Sequence, residues 1–317
     1  MKREKTNTRI AGIDVGKRGL DIAIHGGSES LQVTNDEAGI TELICWFVTH
    51  GVGRVGLEAT GGYEQRVRYG LERHGLEVVV HQPLEVRLFA RLKRLKAKND
   101  RIDAVLIAAA TAQVDAVKAA SDPRLQELAE RLTAYEQVSD QAAEMKTFME
   151  HVTLKDLARR LRLQIRSLEK LKRALVEEIT GRLKACEDLK TRYELLLSLP
   201  GVGPVVAATL VVRMPELGQM RRGQAAALLG VAPYDRDSGQ FKGQRFISGG
   251  RARPRRMLYM AALNAKRYDP ALKSCAQHLL ARGKPAKVIV VAIMRRLVEA
   301  ANLVLARGQP WTRTAPT

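Results

Sequence analysis

Residues 9–26 read RIAGIDVGKRGLDIAIHG, and their pattern decides the fold of the first third of the chain. RIAGIDV and GLDIAIHG each alternate along the chain, the two-residue period of a strand with one buried face. The GKRG between them is turn chemistry, so the pair reads as a β-hairpin. Working outward, ESLQVTN (29–35) reads as a third strand. DEAGITELICWFVTHG (36–51) carries Ile40, Leu43, Ile44, Phe47 and Val48 at helical spacing, with Asn35 or Asp36 as N-cap and Gly51 as stop. RVGLEA (54–59) is a fourth strand, EQRVRYGLERHG (64–75) a helix, and LEVVVHQP (76–83) a fifth strand closed by Pro83.

Three strands in succession, then strands alternating with helices, is the element order of an RNase H-like α/β fold. Composition alone leaves a flavodoxin-like sheet nearly as good a match. From Pro123 to about Tyr193 the chain changes to charged helix, with Leu125, Leu128, Leu132, Tyr135, Val138 and Met145 at three-and-four spacing. Leu157, Leu161, Ile165, Leu168, Leu175, Leu183, Leu189 and Leu196 continue it, and two antiparallel helices or an intermolecular coiled coil both satisfy it. After Pro200 short helices and Gly- and Arg-rich loops follow. LLLSLPGVGPVVAATLVV reads as helix, tight turn, helix, RPRRMLYMAALNAKRY as a helix with Pro254 near its first turn, and KPAKVIVVAIMRRLVEAANLVLARG as a closing amphipathic helix.

The charge balance narrows the partners. Lys plus Arg number 53 against 34 Asp plus Glu, a net charge of +19 and a pI near 10.2. Such an excess favours a polyanion, nucleic acid before an anionic membrane surface. The apolar runs PVVAATLVV and VIVVAIM are too short to span a bilayer, and the mean hydropathy of −0.19 fits a soluble protein. MKREKTNTRIAGID passes from basic residues directly into a strand, so no secretory signal is expected. Cys45, Cys186 and Cys275 form neither a disulfide framework nor a zinc pattern, which fits a reducing cytoplasm. His25, His50, His74, His81, His151 and His278 lack ligand spacing.

Against this scarcity of acids, Asp14, Glu58 (in RVGLEATGGYE) and the pair Asp100 and Asp103 (in KNDRIDA) require a reason. A carboxylate on an apolar strand costs several kcal/mol unless it is paired or binds a cation. Four together repel unless divalent metal holds them, and hard oxygen ligands select Mg²⁺ or Mn²⁺ for phosphodiester chemistry. Each has a plainer reading: Asp14 as a turn residue, Glu58 as an exposed strand end, Asp100 and Asp103 as cap and first-turn acids of a helix. The conjunction favours a metal site over any one of these.

Basic and glycine-rich segments supply the rest. RLFARLKRLKAKN, with Lys93, Arg94 and Lys96, suits a phosphate backbone. LPGVGPVVAATL resembles the hairpin of a helix-hairpin-helix, in which Gly201 and Gly203 expose amides to phosphate; a plain helix–helix turn competes equally. FKGQRFISGGRARPRR carries Lys242, Arg245, Arg251, Arg253, Arg255 and Arg256 and no acid, and Arg245, Arg251, Arg253 and Arg255 are expected to hold nucleic-acid phosphate. Ser248, ahead of Gly249 and Gly250, can attack a phosphodiester or simply donate one hydrogen bond; the residues alone favour the second. Tyr259 is a rival nucleophile, but MLYMAAL reads as a packed helix face.

Taken in order, IAGIDVGKRGLDIAI, GLEATGGYE, KNDRIDA, LPGVGPVVAATL and ISGGRARPRRMLYMAAL closely resemble the DEDD transposases of the insertion-sequence one-ten family, to which a pilin-inversion recombinase is related. The resemblance covers nearly the whole chain. It departs at Asn99, where many relatives carry Thr, and at Pro254, where an aliphatic residue is common. It implies a RuvC-like catalytic domain over residues 8–118, a helical coiled-coil segment over 122–194 and a mostly α-helical C-terminal transposase domain over 195–310. Asp14, Glu58, Asp100 and Asp103 match the metal-binding acids, and Ser248 matches the serine nucleophile. The resemblance further implies DNA recombination through phosphoserine intermediates, a structured non-coding bridge RNA as guide, donor and target DNA as substrates, and a homo-oligomer (dimer or tetramer) whose active site joins acids of one subunit to the serine of another. The expected location is the bacterial cytoplasm, at the nucleoid. A RuvC-like junction nuclease using activated water, and a non-catalytic nucleic-acid-binding protein, are the alternatives.

Overall fold

The computed structural model describes residues 8–93, 100–115, 122–235, 237–238, 243 and 245–312, without the side chains of 100–102. The chain forms two compact units, Met1–Asp122 and Pro123–Thr317.

The first unit contains β1 (Arg9–Val15), β2 (Gly19–Ile24), β3 (Ser30–Thr34), α1 (Glu37–His50), β4 (Val52–Glu58), α2 (Glu64–Arg73), β5 (Glu77–His81), α3 (Pro83–Leu92) and α4 (Asp100–Thr111). Its mixed sheet has the order β3-β2-β1-β4-β5. The hairpin pairs are antiparallel, and β4 joins β1 and β5 in parallel, an arrangement consistent with the RNase H-like reading. Helix α1 begins where the Asp36 carboxylate accepts the Gly39 amide at 2.9 Å, and ends at Gly51, whose φ of 65° suits glycine. The other cap candidate, Asn35, instead donates to the carbonyls of Gly16 (3.0 Å) and Tyr63 (3.1 Å). Helix α3 went unread in the sequence: Pro83 closes β5 but also occupies the first helical position, where its missing N–H costs nothing.

The sheet's two faces are packed differently. Ala11, Ile13, Val15, Leu20, Ile22, Ile24, Val55 and Leu57 face Ile40, Leu43 and Phe47 of α1 and Val67 and Leu71 of α2. On the opposite face, Gly12 and Gly56 admit α4 almost to the bare backbone. A Cβ at Gly12 would overlap the Ala104 carbonyl and Ala108 amide, and one at Gly56 would overlap the Thr111 hydroxyl.

The second unit is mostly helical: α5 (Pro123–Met149), α6 (Lys155–Lys184), α7 (Glu187–Leu197), α8 (Pro204–Arg213), α9 (Gln224–Leu229), the short strands β6 (Pro233–Tyr234) and β7 (Phe246–Ile247), α10 (Ala252–Tyr268), α11 (Pro270–Ala281) and α12 (Ala286–Arg307). Helices α5 and α6 form an antiparallel pair within one chain, cross-linked by Arg182–Glu127 (2.9 Å) near one end and Lys146–Glu169 (2.6 Å) near the other. Leu128, Leu132, Ile179 and Leu183 join the main core with Leu210, Leu258 and Ile293, whereas Val138, Ala142 and Leu168 make a separate cluster farther out. Helix α10 accommodates Pro254 as a buried first-turn residue. No described helix is long and apolar enough to cross a membrane.

Candidate active-site elements and their relatives

In the first unit Asp14, Glu58 and the first turn of α4 lie toward one end of one sheet face. Ile13 pairs with Leu57, so the next residues, Asp14 and Glu58, end adjoining parallel strands side by side. Strand alternation puts Asp14 on the face of Gly12 and Glu58 on that of Gly56, the face that α4 covers. Helix α4 runs against the direction of β4: Arg54, early in β4, donates to the Val114 carbonyl at 2.7 Å, and Ala104 lies over Gly12. Its first turn, with Asp103 and the backbone of Asp100, therefore lies toward Asp14 and Glu58. Asp14, Glu58 and Asp103 are half-buried; the Asp100 side chain lies outside the described residues. Among the described residues no three His, Cys, Asp or Glu side chains come together as a metal-holding group. The donor chemistry at this sheet end, adjoining carboxylates and no sulfur, still fits a hard cation.

Two neighbours were not singled out in the sequence. Asp21 stands across the hairpin from Asp14 in register, a position that the alternation of GLDIAI discloses once the pairing is known. Buried Glu64 holds the loop after Glu58, accepting from the Thr60 hydroxyl (2.9 Å), the Thr60 amide (3.1 Å) and the Gly62 amide (2.8 Å). Burial alone would raise its carboxyl, but hydrogen bonds from its own amide, Gly62 and Thr60 outweigh it and hold the group below its ordinary value. The basic stretch is only partly visible. Lys93 is exposed with its ammonium 5.6 Å from the Phe89 ring, and Arg94 and Lys96 lie outside the described residues.

In the second unit Ser248 is exposed, directly after β7, on the wall of an open cleft of about 440 Å³ shared with Tyr234, Asp235, Phe246 and Gly249. Its loop is braced by backbone contact. Gly250, at a φ of 72°, lies so close to Gly230 that a Cβ would overlap the Gly230 amide nitrogen and Cα. The Arg251 amide donates to the Leu228 carbonyl at 2.9 Å, and Arg255 donates to the Gly249 carbonyl at 2.5 Å.

Most of the arginines expected to hold phosphate are engaged by the protein itself. Arg251 makes a two-pronged pair with Glu216 (2.6 and 2.7 Å) and reaches the Arg213 carbonyl. Arg253 donates to Glu136 (2.9 Å) and Thr133 (2.7 Å), while Arg256 pairs with Asp140. Arg245 pairs with Asp235 at the cleft. Burial lowers the Arg213 guanidinium below its ordinary value; Glu136 opposes that shift and Arg253 adds to it. Glu136 and Asp140 of α5 thus tie the start of α10 to the helix pair. These partners lie 117 and 116 residues away, beyond any local sequence signal.

The hairpin glycines divide. Gly201, at a φ of 75°, packs against α10, where a Cβ would overlap the Ala261 carbonyl. Gly203 precedes α8 with open space around it. Tyr259 packs against the main core.

A family model described as "Transposase", of the DEDD type, matches residues 11–157, and a second, "Transposase IS116/IS110/IS902 family", matches residues 193–277. The chain is also similar to the pilin gene-inverting proteins of Moraxella lacunata and Moraxella bovis. Each is 25% identical over 321 residues, covering 95% of this chain and 97% of the relative. With both models of one family matching in order, and full-length similarity to inverting proteins related to it, the chain belongs to the IS110 family of transposases.

Proposed function

We propose that this transposase cuts and rejoins DNA through a covalent intermediate on Ser248, with Mg²⁺ or Mn²⁺ held by Asp14, Glu58, Asp100 and Asp103. The observation that carries the reading is the exposed hydroxyl of Ser248 on a backbone-braced loop at the wall of a cleft. In the cutting step a bond forms between the serine Oγ and phosphorus as one phosphodiester P–O bond breaks. The proton lost by the hydroxyl is balanced by one gained on the departing oxygen. The resulting ester keeps the bond energy needed for rejoining. When bound, the cation supplies Lewis-acid polarisation of the phosphate oxygens. Asp14 and Glu58, at the ends of adjoining strands, would offer hard oxygen ligands to it from one sheet face. Arg245, just ahead of β7, and Arg255, in the first turn of α10, flank Ser248 in the chain and add positive charge for the phosphate beside their contacts to Asp235 and the Gly249 carbonyl. Arg251 and Arg253 act mainly by fixing α10 and adding positive field. Lys93, Arg94, Lys96 and the amides at Gly201 and Gly203 hold nucleic-acid backbone.

Guidance by a bridge RNA belongs to the same proposal, supported by a charge of +19 that suits two nucleic acids. So does a homo-oligomer assembled through a coiled coil of the helical segment, for which Leu163 (57% exposed) and Leu171 (48%) on α6 offer apolar contact. The expected location is the cytoplasm, at the nucleoid.

Covalent trapping is the test. Protein purified with its element's RNA and mixed with plasmid carrying the element's end junction should give a denaturant-resistant protein–DNA species. Ser248→Ala should give none, and Asp14→Asn should give none while retaining DNA affinity. Cleavage that survives Ser248→Ala without any adduct would establish the junction-nuclease alternative instead. Full activity in Asp14→Asn would remove the metal site.

A further inference from the structure

We propose that Tyr234 and Phe246 form an aromatic clamp for an unstacked DNA base beside the phosphate that Ser248 attacks; this rests on the functional reading above. The two residues are in register across the β6–β7 ribbon, so their rings leave the same side of it. Both line the cleft that contains Ser248. Its roughly 440 Å³ lies within the range of small-molecule sites, about 300–1,000 Å³. Aromatics are only 4% of the chain, yet these two rings stand 47% and 51% exposed at the candidate nucleophile. Asp235, which lines the cleft, is paired with Arg245, so its carboxylate does not stand unbalanced against a ligand that is flat and apolar in the middle and anionic at its edge.

A nucleobase with its phosphate has that character. Presenting a phosphorus atom in line to a side-chain hydroxyl is easier once the strand leaves the duplex stack, and aromatic faces compensate for the lost stacking. Every base offers a π-face, so the clamp tolerates any sequence at the cut. A duplex groove-binder, by contrast, would need no exposed rings here.

The probe is a single-stranded oligodeoxynucleotide carrying 2-aminopurine, compared with its duplex, on the full chain. Wild type should quench the single-strand fluorescence. Tyr234→Leu and Phe246→Leu should each weaken single-strand affinity by about 5- to 150-fold, the factor equivalent of stacking one base, with duplex affinity unchanged. Tyr234→Phe and Phe246→Tyr should keep both quenching and affinity. Absence of quenching by wild type overturns the clamp whatever the variants do. Leucine variants that bind single strand normally, or that lose duplex affinity in parallel, overturn it as well. Covalent trapping reports on the parent reading separately. Ser248-dependent trapping without quenching sinks only the clamp; quenching without such trapping sinks the phosphoserine mechanism and leaves a base-binding cleft.

Discussion

Substituting Gly250 by Ala tests whether the serine loop is held by backbone contact. The residue has a φ of 72°, and its missing Cβ is replaced by the amide nitrogen and Cα of Gly230, backbone atoms at the end of α9. The left-handed conformation costs a non-glycine residue about 1–2 kcal/mol. Displacing packed backbone costs about a further 1–3 kcal/mol. The two add to about 2–5 kcal/mol, or roughly 4–20 °C of melting temperature for a unit of this size. Gly249→Ala is the matched control: its φ is 65°, but no atom lies near the added methyl. Only the conformational cost then applies, about 1–2 kcal/mol. Thermal melting by circular dichroism and Ser248 trapping should be followed on both. Where the loop yields before the core, melting falls little and the strain shows as lost trapping, more in Gly250→Ala than in Gly249→Ala. Unchanged melting together with undiminished trapping in Gly250→Ala would refute the brace.

Glu136→Ala should destabilise the second unit by about 3 kcal/mol in urea denaturation, because it strips Arg213 and Arg253 of their shared carboxylate, whose side chain is 10% exposed; Glu136→Gln should cost less. Glu64→Gln should cost about 1–2 kcal/mol at neutral pH by weakening the hydrogen bonds that shape residues 60–62. Since the folded carboxyl of Glu64 is depressed, its contribution is present above the ordinary value of 4.5 and is lost as pH falls below it. Melting curves of the two proteins should therefore converge on acidification through that range.

How far the fold could be read from the chain follows from where each signal resides. Asp36 and Gly51 mark α1 because caps are local chemistry, and the hairpin of β1 and β2 shows in its own alternation. Helix α3 escaped because Pro83 punctuates a strand and opens a helix with the same ring. Strands β6 and β7 escaped because two residues each carry no period, and their flanks are a basic loop. For the site, acids on apolar strands are conspicuous against a basic background, so Asp14 and Glu58 could be named before their register was known. The arginines after Ser248 looked uniformly available to phosphate. Their acids, Glu136, Asp140 and Glu216, are brought to them only by tertiary packing, which converts much of that basic run into scaffolding.

The contact of α4 with the sheet has a consequence for how this transposase can be damaged. At Gly12 and Gly56 the spacing between layers is set by single hydrogen atoms, and the helix resting there begins with residues 100 and 103. Adding one methyl at either glycine would lever that helix outward and shift its first turn relative to the strand ends that carry Asp14 and Glu58. Mutational surveys confined to charged or nucleophilic positions would overlook both places, though neither offers a functional group for any ligand to touch.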